Sequence, residues 1–407
     1  MSSLALFFLA VGLIRQDLSQ LWPNLIKIWS SPSVLTTDYI ALAGPGATLW
    51  NIAFVLLLEI IILWRNKIQI NGSVIAAVFL TMGFSYFGTN IFNYLPILAG
   101  NWLFAKLAKI PFGKIFPRAF YTSALGPMVS LLVFELVKPF SLALVAGAIV
   151  GLLIGLVAQP LAESFHAFTR GYSLHHMGFV MGVIGTILVS LLRFFDVHVI
   201  DPSMTTHVEP PIPNFFIVFV TGLLIYGSLI DKTSWPNFAR LLKKRTLCSG
   251  NYDLQYGAGA MCLNMAFMGY LCLAYVYLVG SEPTGPVLGA IMAAIGFAAS
   301  GMHIVNSLPI MLGVYAMYWL SGQDPASQGA TVAALFSAAL APISQEYGIA
   351  PGFIAGSIHA ALVVNIGSIH GGINLYNNGF STGFIAASLS SILDCCRKIK
   401  GQKRGTP

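Results

Sequence analysis

The sequence predicts an all-α integral membrane protein made of two homologous repeats of inverted topology. Three observations lead there: an overwhelmingly apolar composition, a row of membrane-length apolar runs, and a long internal repeat whose equivalent loops carry opposite charge bias. Of 407 residues, 57% are hydrophobic and 9% charged, with a mean hydropathy of +0.79. A soluble globule needs far more polar side chains to cover its surface, so the solvent is lipid.

Apolar runs at 46–64, 119–137, 141–160, 177–194, 214–230 and 263–279 approach or reach the roughly 17 to 25 residues that a helix needs to cross hydrocarbon. Unpaired backbone groups in lipid cost several kcal/mol, so spans are helices or a closed barrel. Continuous rather than alternating apolarity excludes the barrel. About ten to fourteen crossings are expected, with the polar or glycine-rich stretches 38–51 and 160–176 and their twins as re-entrant or broken helices. Met1 to Ile14 lacks a basic n-region and a small-residue cleavage site, and reads as the first span, clipped short at its start.

The repeat is visible in FGTNIFNYLPILAG (87–100) and SGMHIVNSLPIMLG (300–313), which lie 213 positions apart. The same offset aligns 22–100 with 235–313 without a gap, and over a quarter of the positions are identical, several times what shared apolarity produces. After small length changes SALGP (123–127) faces AALAP (338–342), and GYSLHHMGFVMG (171–182) faces GINLYNNGFSTG (372–383).

Cytoplasmic loops carry the excess of Lys and Arg, which orients the copies. Loop 15–37 holds Arg15 and Lys27, whereas its twin 231–250 holds Lys232, Arg240, Lys243, Lys244 and Arg245. Loops 65–67 and 105–118 are basic, while their twins 277–285 and 319–331 carry no Lys or Arg but contain Glu282 and Asp324. Each loop therefore falls on the side opposite its twin, as an odd number of crossings per copy produces. The expected organisation is repeat 1 over 1–194, an extracytoplasmic linker over 195–213 with Asp196, Asp201 and Glu209, repeat 2 over 214–394, and a basic tail over 395–407. Both termini are placed in the cytoplasm of a cell with a plasma or inner membrane.

The formal charge of +7 does not point to nucleic acid, because the basic residues cluster at span ends. The five cysteines, Cys248, Cys262, Cys272, Cys395 and Cys396, are odd in number and lack zinc-ligand spacing, which argues against a disulfide framework or a structural metal.

Polar and kinking residues inside hydrocarbon need partners or a water-filled path. The candidate pathway residues are Asn51, Asn90, Asn93, Pro96, Asn264, His303, Asn306, Pro309 and Asn377. Most recur in both copies, and inverted repeats would converge them on the midplane, where a proline frees backbone carbonyls. Their structural alternative is interhelical hydrogen bonding and close packing. Glu59, Glu163, His166, His175 and His176 are the candidate proton or pH-sensing groups. The spacing of His166, His175 and His176 fits no single helical face, which speaks against a metal cage.

The glycine-rich segments AGPGATLWN and YGAGAMCLN, each followed by a span and a Gly/Asn/Leu-Pro stretch, are similar in layout to the inverted repeats of urea transporters. They are similar in the same way to the membrane subunits of sodium-pumping and Rnf-type redox complexes. The chain as a whole resembles an uncharacterised family of bacterial polytopic membrane proteins known as a domain of unknown function. The urea-transporter signature L-P-x-x-T-x-P-F is not reproduced after Leu95-Pro96 or Leu308-Pro309, so the resemblance implies a fold rather than a urea site. The redox relatives attach flavin to a Thr in S-G-A-T, and DPASQGAT ending at Thr331 and PGAT ending at Thr48 are the nearest matches.

The expected function is a channel or transporter for a small polar solute, neutral or singly charged, along a path between the repeats. No cofactor is expected; the expected partners are the lipid bilayer, the solute and, in a homo-oligomer, further copies of the chain. The alternative is a membrane-embedded redox or cofactor-binding subunit, for which Thr331 and the His166 to His176 cluster would be essential.

Overall fold

The computed structural model describes residues 1–197, 199, 211–244, 250–399 and 401, with the side chains of 211–214 left aside. Most of the expected linker and tail, together with Arg245 and Cys248, lie outside the described residues. Every regular element among the described residues is helical, and each half carries ten α-helices. The first half runs α1 (Ser2–Arg15), α2 (Leu18–Trp29), α3 (Tyr39–Ala43), α4 (Pro45–Arg65), α5 (Gly72–Phe84), α6 (Ile91–Leu107), α7 (Phe112–Tyr121), α8 (Gly126–Leu131), α9 (Phe140–Thr169) and α10 (His176–Phe194). The second runs α11 (Pro211–Ile230), α12 (Ser234–Lys243), α13 (Tyr252–Tyr256), α14 (Ala258–Val279), α15 (Gly285–Phe297), α16 (Ile304–Leu320), α17 (Gln328–Ser337), α18 (Ala341–Tyr347), α19 (Ile349–His370) and α20 (Asn377–Ile399). The two lists correspond helix by helix.

Seven helices, or continuous helical stretches, among the described residues are long and apolar enough to cross a membrane, and nine if the bent pairs α1–α2 (117°) and α11–α12 (112°) each count as one span. The helices α5, α15 and α16 are apolar but shorter, and account for much of the distance to the larger number of crossings expected. Each follows a capped start rather than a membrane-length run. The break expected within 160–176 falls at 170–175, beyond Pro160. The helix α9 continues through Pro160 to Thr169 and turns through Arg170 into α10. Further breaks, not expected from the sequence, fall at 85–90 and 122–125, and at their twins 298–303 and 338–340. There, capping side chains and the Gly126-Pro127 and Ala341-Pro342 steps restart the helix.

Twin elements repeat their local physics. The helices α4 and α14 begin at Gly44 and Gly257, with φ of 85° and 86°, a conformation open to glycine and costly to L side chains. A Cβ on Gly155 of α9 would meet the carbonyl of Ile97 in α6, and one on Gly356 of α19 would meet the carbonyl of Ile310 in α16. Small residues thus bring the same two backbones together in both copies.

The halves meet about an approximate twofold axis. In the central pair α5–α15, Gly83 lies against Gly289 while Gly296 lies against Ala76, so the twin helices cross antiparallel. Reciprocal hydrogen bonds tie the halves together: Leu174 N donates to Ala339 O at 3.0 Å, and Leu375 N to Ala124 O at 2.9 Å. Each half also caps the other. Gly285 N, at the start of α15, donates to Asp38 Oδ2 at 2.9 Å. Gly72 N and Ser73 N, at the start of α5, donate to Asp253 (2.9 Å) and Asn251 (2.6 Å). Burial raises the Asp38 carboxyl above its ordinary value, while the backbone N–H groups of Gly285, Ile40 and Ala41 draw it back.

Candidate functional site

The duplicated asparagines sit at the helix breaks and are spent on backbone. Asn51 Nδ2 donates to the carbonyls of Ser85 and Thr89, both at 3.0 Å, and Asn264 Nδ2 donates to those of Ala298 and Met302, both at 2.7 Å. These carbonyls belong to the unwound turns after α5 and α15, where no next helical turn is present to pair them. Asn90 and His303 are the N-caps of α6 and α16, each closing a reciprocal capping box with Asn93 or Asn306. Asn93 Nδ2 further donates to Gly88 O and Ser130 Oγ, and Asn306 Nδ2 to Gly301 O and Gln345 Oε1. Pro96 packs where Gly151 leaves room, and Pro309 is buried in α16.

At the junction of the halves the structure assembles six rings in three twin pairs: Phe84 with Phe297, Tyr121 with Phe336, and His175 with Tyr376. The contacts are reciprocal: Phe84–Phe336 at 6.5 Å mirrors Tyr121–Phe297 at 6.0 Å, and Phe84–Tyr376 at 5.3 Å mirrors His175–Phe297 at 4.1 Å. His175 and Tyr376 meet each other across the axis at 5.0 Å. All six are buried, yet both ring nitrogens of His175 and the hydroxyl of Tyr376 lack any hydrogen-bond partner. Buried polar atoms are rarely left so, because each forfeits its hydration without return.

A cleft of about 300 Å³ leads to this centre, lined by Lys114, Arg118, His166, His176, Tyr121 and Phe297 among others. His166 and His176 therefore converge on it, with rings 5.5 Å apart. Glu163 is 59% exposed, with its carboxylate 3.7 Å from Arg118, which lines the cleft. His175 lies behind Phe297 rather than in the cleft wall. Glu59 is elsewhere: it is fully buried in α4, Tyr94 donates to its Oε1 at 3.4 Å, and its Oε2 is unpartnered.

The second half adds polar groups that the first lacks. His359 Nε2 faces Asn378 Oδ1 at 3.1 Å and its Nδ1 faces Ser381 Oγ at 3.0 Å, where the first copy has Ala158, Met177 and Val180. Asn377 Oδ1 lies 2.5 Å from Nδ1 of His370, whose Nε2 donates to Gly182 O. The first half has its own network, Gln159 donating to Asn101 and Asn101 to Thr122. Sequence reasoning missed the ring pairs and His359. The aromatic at 84 and 297 is nonetheless identical between copies, and one precedes each SALGP-like step at 121 and 336.

The residues considered for flavin attachment are committed elsewhere. Thr331 is fully buried and its hydroxyl donates to Ser281 at 2.8 Å; Thr48 donates to Gly44 O.

Among known proteins, a family model described as a protein of unknown function (DUF1576) matches residues 18–194 and 230–395. No curated protein and no solved structure matches the chain.

Proposed function

The chain belongs to the DUF1576 family of proteins of unknown function, and on that footing we propose that this multi-pass membrane protein is a channel or transporter for a small polar solute. The path runs through the junction of the two halves. The observation that carries this reading is the buried ring cluster at the approximate twofold axis, with the unpartnered atoms of His175 and Tyr376 at the inner end of a cleft. Polar atoms held without partners inside a membrane protein are what a passing solute would satisfy.

The membrane orientation belongs to the same proposal. Arg65 to Ile68, Lys114, Gly250, Arg170 and the start of the basic tail gather at one end. Gly113 faces Ile68, the cleft joins Lys114 to Gly250, and Arg170 bonds Asp394 at 2.7 Å. Met1 lines one cavity with Trp64 and Lys67. Basic loops sharing one end support inverted repeats with both termini in the cytoplasm of a bacterial inner membrane. The urea-transporter-like layout is part of this reading. The redox alternative draws less support, since the hydroxyl of Thr331 is sequestered.

Reconstitution into liposomes tests the function. Protein-containing vesicles should exchange small polar solutes faster than empty ones, and His175→Phe, which keeps the ring and removes both nitrogens, should slow exchange about tenfold, the cost of one lost hydrogen bond of about 1.4 kcal/mol to the passing solute. Flux that is unchanged by His175→Phe would end the assignment of the path to this centre.

A further inference from the structure

We propose, building on the transport reading above, that the cleft is the mouth for a small monovalent anion, such as a short carboxylate or an inorganic ion of similar size. Lys114 and Arg118 stand four residues apart on α7, so both project from one face of the helix, and both line the cleft. No Asp or Glu is among the described residues that line it. Glu163, 59% exposed, forms a long ion pair with Arg118 at 3.7 Å, a separation beyond hydrogen bonding at which the guanidinium N–H groups are not spent on that carboxylate.

Beyond the mouth the path meets rings and neutral polar groups. His175 and Tyr376 hold unpartnered polar atoms, and His359, Asn378 and Ser381 form the adjoining network. Glu59 and Asp38, the buried acids, are engaged with Tyr94 and with the start of α15. An interior of neutral polar groups that includes N–H and O–H donors, with no carboxylate to hold a cation, suits an anion better than a cation. With no fixed cation at the centre to offset it, a second negative charge would meet a desolvation cost that rises with the square of the charge.

Topology alone would place basic residues at this end of the molecule, as it does for Lys67 and Lys109. Lys114 and Arg118 differ in facing a concave wall that leads to the axis. The twin positions in the second half are Gly329 and Ala333, so the charge marks one mouth only. A cationic cleft with low-dielectric walls concentrates anions at that mouth.

The test uses the full chain in liposomes, with radiolabelled formate, acetate, methylammonium, sulfate and urea as probes. Formate and acetate should cross at least about tenfold faster than methylammonium and sulfate, and Lys114→Gln with Arg118→Gln should cut the formate rate about tenfold. Arg118→Lys should restore most of that loss. Urea flux without formate flux would overturn the anion assignment and leave the transport reading standing; no flux of any probe would overturn both. Formate flux that ignores the double substitution would also overturn it. The anion-to-cation ratio of the unaltered protein decides the matter even where the variants fail to fold.

Discussion

At the scale of single residues, duplication follows the backbone. Asn51, Asn93, Asn264 and Asn306 recur in both copies because both copies break their helices at the same place and must pair the same carbonyls. Replacing Asn51 by Leu strands two buried carbonyls and the indole N–H of Trp29. At about 1 to 3 kcal/mol for each stranded group, the thermal midpoint of the purified protein should fall by many degrees, as read by intrinsic fluorescence. Tyr376→Phe should behave in the opposite way: it removes a hydroxyl with no partner, so the midpoint should hold or rise while solute exchange slows. His175 was legible because its twin is a tyrosine in an otherwise matching stretch. His359 was not, because its first-copy counterpart is Ala158 and a lone histidine in an apolar run carries no pattern.

At the scale of elements, the apolar runs announced α4, α9, α10, α11 and α14, since a run of that length in lipid has one conformation that pairs its own backbone. The short helices were harder to foresee. The helices α5 and α15 are as apolar as a span but end after 13 residues, and what stops them is the side-chain pairing of Asn51 and Asn264 from another helix, a tertiary effect absent from local sequence. Their antiparallel crossing depends on Gly83 and Gly289, where a Cβ on either would strike the other's carbonyl. Gly83→Leu should therefore cost several kcal/mol, above the roughly 1 to 3 kcal/mol of an ordinary overpacked core, because backbone must move. Loss of the monodisperse gel-filtration peak is the expected outcome. Gly367→Ala, on a helix position with nothing within 4 Å, should leave the same profile unchanged.

At the scale of the whole molecule, the repeat was plain in the sequence and its loop charges led to the expectation of inverted copies, but which residues meet between the halves was not legible, since contacts between residues more than a hundred positions apart leave no mark in one chain. The orientation makes a direct prediction. In a background with Cys248→Ser, an impermeant maleimide should label Cys395 and Cys396, which are exposed, from the cytoplasmic side only. A cysteine replacing Lys114 should react from that same side, and one replacing Gln323 from the opposite side; a shared side for Lys114 and Gln323 would refute inverted repeats. The reciprocal caps carry a consequence for ancestry and assembly. Since Asp38 seats the start of α15 while Asn251 and Asp253 seat the start of α5, a solitary forerunner of one unit would have had dangling amides at its heart. On the inverted reading proposed above it needed a second copy of opposite orientation in the same bilayer, and a gene severed between residues 199 and 211 should still yield two polypeptides that co-purify, each degraded when made without the other.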